Sequence, residues 1–259
     1  MRCGSGGTPA GSIVGGKVVD VAGVAAALRQ LLARTEIHES RAMIAVSDAL
    51  ASFRVLRFSM STTDAAIDST VAKEFPLDAE RMATMWVDVQ RSGDQKTVFA
   101  VAWDRSQLAN VTEAVRQAGV DPIVVDLKSM CIARAVLEPS CVVVDLSADP
   151  IDIFLIDGHM PQVWHSFSLN LPAGEDIGPA LSAPLRSVVR FYQRRRDTDF
   201  GSRSPILISG EQVIPTQASS NLSRMLDHPV EPLLIPPRVP NEVRHGTYLA
   251  CLGLLMRRT

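Results

Sequence analysis

Apolar residues recur at two spacings along this chain, and the switching between them predicts alternating helices and strands. From Asp20 to Ala33 (DVAGVAAALRQLLA) they return at helical spacing behind Asp20, a residue suited to an N-cap. Two strand-like runs follow at 42–47 (AMIAVS) and 53–59 (FRVLRFS); Arg54 and Arg57 in the second leave one of its faces wet. Residues 63–75 predict a short helix opened by Thr63 or Asp64 and stopped at Pro76. Strands at 83–90 and 97–103 flank the turn-rich RSGDQK and predict a hairpin. A helix at 105–118 ending at Gly119, a strand at 122–126 and a helix at 128–137 complete the first half.

The second half opens with strands at 141–147, 151–157 and 162–169 joined by short loops. A helix at 181–195 follows, with Leu185, Val188, Val189 and Tyr192 on one face. It runs into Arg194, Arg195 and Arg196, whose simplest role is to oppose the negative end of the helix dipole. A buried strand at 205–210, a helix at 215–226, a Pro-rich segment from Pro229 to Pro240 and the apolar helix GTYLACLGLLM close the chain. This order predicts an α/β protein of two lobes. The expected divisions are a flexible N-terminal segment at 1–16, a first lobe at 17–137 with a small α/β subdomain at about 36–104, and a second lobe at 138–259.

Composition narrows the function classes. With 46% apolar and 21% charged residues the chain is globular, and a net charge of -2 gives no reason to expect nucleic acid. No apolar run reaches the ~18 residues that span a bilayer, so no transmembrane insertion is expected. MRCGSGGTPAGS lacks the apolar core of a secretory signal, which makes the cytoplasm the expected compartment. Cys3, Cys131, Cys141 and Cys251 form no CxxC pair; three are expected to be buried and one to lie in a loose tail. The five histidines show no HxxxH spacing, and His159 and His165 fall at strand margins, so no metal centre is expected.

The segment most charged with meaning is Cys141–Gly158. Asp145 closes its first strand, Asp152 opens its second, and between them the chain reads Leu146, Ser147, Ala148, Asp149, Pro150, Ile151. Such a pair has a bland reading as turn-capping carboxylates.

Taken in order, several segments resemble the actin-like ATPase superfamily, whose fold is ribonuclease H-like. They are 9–32 (PAGSIVGGKVVDVAGVAAALRQLL), 118–135 (AGVDPIVVDLKSMCIARA), the hairpin 141–158, 184–193 (PLRSVVRFYQ), 205–215 (PILISGEQVIP) and the closing YLACLGLLMRR. Within the superfamily they are most similar to the PilM-like family of type IV pilus assembly, relatives of the cell-division protein FtsA. The resemblance implies a two-lobed actin-like fold with nucleotide held by glycine-rich hairpins. It places Asp145 and Asp152 at the two carboxylate positions of the second phosphate loop, and Gly210 and Glu211 in the adenosine-side loop.

Each part departs from that pattern. Ser147 and Ala148 stand where glycines would let backbone N–H groups approach phosphate, and Pro150 has no N–H to donate. Asp149 adds a charge that repels a polyanion by about 1 kcal/mol at ~4 Å even in water. Gly210 is followed by Glu211, Gln212 and Val213 rather than by further glycines, and it also fits a strand-ending turn. The strands of a first phosphate loop are missing before MRCGSGGTPAGS, which makes the first lobe incomplete or the true start upstream of Met1. LPAGEDIGPA at 171–180 is too short for the extra helical subdomain of PilM-like proteins.

Two readings stay open. In one, the chain is a non-catalytic scaffold with no cofactor, peripheral at the inner membrane. It would bind the cytoplasmic N-terminal peptide of a PilN-like bitopic membrane protein in a first-lobe groove, together with other pilus platform proteins. Apolar residues of 53–59 and 63–75 are its candidate partner surface, with a core-facing stripe as the plainer reading of any single residue there. In the other, the chain is an ATPase, with Asp145 and Asp152 positioning Mg²⁺ and the attacking water beside ATP. A third also stays open: the actin-like domains of type II secretion platform proteins bind partners without ATPase chemistry, and against it stands the membrane span expected after this fold, where the sequence ends at Thr259.

Overall fold

A computed structural model describes residues 2–75, 80–169, 177–196, 200–201, 203–210, 216–235, 239 and 246–257. They divide into two compact units, Met1–Leu127 and Lys128–Thr259. The first opens on a hairpin too short for its pattern to show, β1 (Ile13–Val14) and β2 (Lys17–Val18), turned by Gly15 and Gly16 at positive φ. α1 (Val21–Arg34) begins as expected, with the Asp20 carboxylate accepting from the Gly23 N–H at 2.9 Å. β3 (Arg41–Val46), β4 (Ala51–Ser59), α2 (Asp64–Glu74), β5 (Met82–Ser92), β6 (Gln95–Asp104), α3 (Arg105–Gln117) and β7 (Asp121–Leu127) follow.

β4, β6 and β5 form an antiparallel sheet in that order. Val98, Ala100 and Ala102 of β6 face Ile67 and Val71 of α2 and Phe75 beyond it, with Leu56, Phe58, Met82 and Trp86 at the margin. The apolar positions of 53–59 and 63–75, expected at a partner surface, therefore mainly build this core. The large apolar side chains left outside are Met85 and Val87 of β5, 53% and 44% exposed.

β3 and β7 form a separate two-stranded parallel sheet, and among the described residues no strand lies on the other side of β3. Only Val46 of β3 is fully buried. An apolar groove of about 370 Å³ adjoins it, lined by Val24, Leu28 and Leu31 of α1, Ile44 of β3 and Val111 of α3, with Ile13 at its rim.

Asp104 ends β6 and caps α3. Its Oδ1 accepts from the Ser106 and Gln107 N–H groups at 3.1 and 3.3 Å and from the Ser106 hydroxyl at 2.7 Å, while Arg81 reaches Oδ2 at 3.2 Å. The Ser106 hydroxyl, aided by the Gln107 N–H and Arg81, holds this carboxyl below the ordinary aspartate value although burial opposes it. Asp104→Ala is expected to lower stability by about 1–2 kcal/mol at neutral pH. A folded-state value below the unfolded one gives stability that is full above roughly pH 4 and lost as pH falls. Denaturation curves of wild type and variant should therefore converge in acid.

The second unit contains α4 (Lys128–Ala135), β8 (Cys141–Asp145), β9 (Ile151–Asp157), β10 (Met160–Phe167), α5 (Ile177–Arg196), β11 (Ile206–Ser209), α6 (Thr216–Leu226), β12 (Val230–Pro232) and α7 (Leu249–Leu255). Its five-stranded sheet has the order β10-β9-β8-β11-β12, with β8 antiparallel to β9 and parallel to β11. Helices cover both faces, which is why β8 reads as the unbroken apolar run CVVV. Val142, Val144, Ile153, Leu155 and Ile206 meet α5 and α6 on one face. Cys141, Val143, Phe154, Ile156 and Leu207 meet α4 and α7 on the other.

Three features depart from the sequence reading. α4 packs on this second sheet through Ile132, Ala133 and Ala135, so the division falls after Leu127 and not near Glu138–Ser140. β12 lies inside the Pro-rich segment; as an edge strand it tolerates proline, with Pro229 accepting from Ile206 N at 2.7 Å and Leu233 N donating to Ile208 at 2.8 Å. Cys251, expected inside, is exposed on α7, whereas Cys131 and Cys141 are buried and Cys3 is half-buried. Burial, then the nearby Glu138, pushes the Cys141 thiol up to about 12. α7 crosses α4 at Gly253, where a Cβ would overlap the Cys131 carbonyl.

Candidate functional site

The site grows from the register of one hairpin. β8 and β9 pair so that Asp145 stands directly opposite Asp152, both on the face covered by α4. Like charges across a ladder repel, and these two side chains are only 6% and 8% exposed. The first residue of α4 resolves the conflict. Lys128 Nζ lies 2.8 Å from Asp145 Oδ2 and 2.7 Å from Asp152 Oδ2. It also sits 5.6 Å from the centroid of the Phe154 ring, adding a cation–π contact.

The remaining carboxylate oxygens are satisfied as well. Asp145 Oδ1 accepts from the Ser147 N–H at 3.0 Å and from the Ser147 hydroxyl, which ties the turn to the strand end. Asp152 Oδ1 accepts from Trp164 Nε1 at 3.0 Å. Trp164 pairs with Phe154 in the ladder, so it reaches Asp152 along the diagonal open to a long side chain. Burial disfavours charge on Lys128, yet the two carboxylates outweigh it and hold the amine above the ordinary lysine value.

The structure thus brings Asp145 and Asp152 together and adds three groups that sequence reasoning missed: Lys128, Ser147 as a donor, and Trp164. Lys128 carried a usable signal. It heads a helix in which Ser129, Met130, Cys131, Ile132, Ala133 and Ala135 are buried, so its amine starts beside a dry face.

Gly210 lies at the end of β11 with φ of +119°, and a Cβ there would stand 2.6 Å from Leu146 C and 2.8 Å from Ser147 N. Its missing side chain lets the strand end close against the β8–β9 turn, where Leu146 N also donates to Ser209 at 2.8 Å. Gly246 closes on the same point from another side, since a Cβ on it would overlap Gly210 N. The room beside this glycine is taken by the protein's own backbone. Glu211 lies outside the described residues.

A magnesium ion on this pair would need carboxylate oxygens as ligands, but each of the four already has a donor, and an ammonium stands between them. The residues do not fit the ion. Nor does the turn fit phosphate: Ala148, Asp149 and Pro150 are exposed side chains where a bare backbone would be required.

No family model and no curated protein matches the sequence. Solved structures do. A PilM–PilN type IV pilus biogenesis complex matches with a TM-score of 0.72 at 20% identity, over 96% of this chain and 88% of that one. The chain has the actin-like fold. The cytoplasmic domain of EpsL, an inner membrane component of the type II secretion system of Vibrio cholerae, matches with a TM-score of 0.50 at 10% identity, covering 91% and 82%. A Bacteroides thetaiotaomicron protein described as having an actin-like ATPase fold and unknown function matches with a TM-score of 0.47 at 11% identity, covering 90% and 81%.

Proposed function

We propose that this protein is a non-catalytic actin-like scaffold of a type IV pilus or related inner-membrane assembly platform. In this reading it binds a cytoplasmic peptide of a PilN-like bitopic membrane partner. The observation that carries the non-catalytic half is Lys128, whose amine bridges both carboxylates from within the chain and occupies the place between them. The likeness to the PilM–PilN complex supports the assembly half. No helix among the described residues is long and apolar enough to cross a membrane; in this reading the peptide partner is one link that holds the protein at the membrane's inner face.

The apolar groove beside β3 is the proposed seat of the peptide, because its walls offer aliphatic side chains next to a strand edge that is unpaired among the described residues. ATPase activity is the second reading, favoured only by the nearness of Asp145 and Asp152. Calorimetric titration with Mg-ATP is expected to show no saturable heat, and a dissociation constant in the low micromolar range would overturn the non-catalytic assignment. The N-terminal peptide of a PilN-like protein is expected to bind. Ile13→Glu, on a residue 42% exposed at the groove rim, should weaken that binding at least tenfold and leave the melting temperature unchanged. Unaltered binding would move the peptide elsewhere.

A further inference from the structure

α5 carries five arginines and no acidic residue across its twenty positions. Residues 128–259 hold thirteen basic and thirteen acidic side chains, so this one helix concentrates positive charge on an otherwise acidic unit. Its inner face is accounted for: Leu181, Leu185, Val188, Val189 and Tyr192 are buried in the core. Its outer face is not. Arg186, Arg190 and Arg194 follow one another at every fourth position, exposed, in a row of about 12 Å. None of the three forms an ion pair among the described residues, although arginines at this spacing commonly alternate with acids on a solvated helix face. Phe191 stands beside the row, 52% exposed. Beside the row Ala183 and Ser187 keep the surface low, and with Ser182, the arginines and Phe191 they line a concavity of about 730 Å³.

We propose that the outer face of α5 docks directly on anionic phospholipid headgroups. The small residues leave room for phosphate groups, and the arginines present planar donors to them. Phe191 gives the apolar contact expected where a charged layer overlies acyl chains. A row this short meets too few phosphates to hold a nucleic acid by charge alone, and a purely acidic peptide such as polyglutamate offers no apolar layer to an exposed phenylalanine. This contact is made by the chain itself and does not depend on a protein partner or on the state of the Lys128 site.

The test is sedimentation of the full chain with vesicles of phosphatidylcholine alone, or of phosphatidylcholine and phosphatidylglycerol in equal parts. Binding to the anionic vesicles only, released by high salt, is expected. Arg186→Glu/Arg190→Glu should weaken it at least about thirtyfold, with a thermal melt matching wild type because both side chains lie in solvent. Phe191→Ala should weaken it further and leave the salt dependence unchanged. Absence of binding to anionic vesicles, or binding indifferent to the charge reversal, would overturn the proposal. Tighter binding to polyglutamate or duplex DNA than to the vesicles would overturn its assignment to lipid.

Discussion

Lys128→Ala is expected to destabilise the protein by about 3 kcal/mol, lowering its melting temperature by roughly 6–12 °C. The lysine amine is the shared counter-charge of two nearly buried carboxylates that face each other across the β8–β9 ladder. Without it, like charges remain side by side with no cation, and the folded state relieves them by taking up a proton. The variant's folded form then binds more protons than its unfolded form, so its stability rises as pH falls from 7 towards 5. The wild type behaves differently. Its lysine is raised above the ordinary value, so the contribution is complete below about pH 10.4 and lost only as pH climbs beyond that. Chemical denaturation at several pH values reads both trends. A control separates charge from packing: Lys128→Met/Asp145→Asn/Asp152→Asn removes all three charges and should recover most of the loss. If Lys128→Ala melts with wild type across this range, the trio is not a structural lock.

Gly253→Ala should produce a loss of similar size, about 3 kcal/mol or more, by a different mechanism. A methyl group at this position overlaps the backbone carbonyl of Cys131 on α4. The obstacle is main chain, so α7 must lift from a face where Leu249 packs with Ile132, Phe154 and Leu207. Trimming the neighbour, as in Cys131→Ala, cannot rescue the variant, whereas a clash with a side chain would be relieved. Cys251→Ser, two residues away on the exposed side of α7, should stay within about 0.5 kcal/mol of wild type. Equal melts for Gly253→Ala and Cys251→Ser would show that the two helices are not in close contact there.

Much of the fold could be read from local chemistry. Asp20, Thr63 and Asp104 each accept from the first turn of the helix they precede. Leu185, Val188, Val189 and Tyr192 share the buried face that their spacing announced. What escaped was decided by distant neighbours. β12 hides among prolines because only an edge position tolerates them, and nothing local says where an edge will be. α4 adjoins β7 in sequence yet belongs with the second sheet, since burial against β8, β9 and α7 sets its allegiance. The candidate site divides in the same way. Asp145 and Asp152 were visible because one short turn joins them. Lys128 stands seventeen residues before Asp145, and its one signal, the apolar helix it heads, does not say which strand end the amine meets.

The one-sided pairing of β3 bears on how much of this protein a cell retains. A strand held by a single neighbour among the described residues, on a sheet of two, opens more readily than β8, which is clasped on both sides and wholly buried. Proteases sample such openings, and a ligand that binds only the closed form suppresses them. At a peptide concentration one hundred times the dissociation constant, the closed form gains about 2.7 kcal/mol, enough to reduce the opened population roughly a hundredfold. Under the proposed peptide seat, chains that have met their membrane partner outlive those that have not. The abundance of this protein would then follow that of its partner.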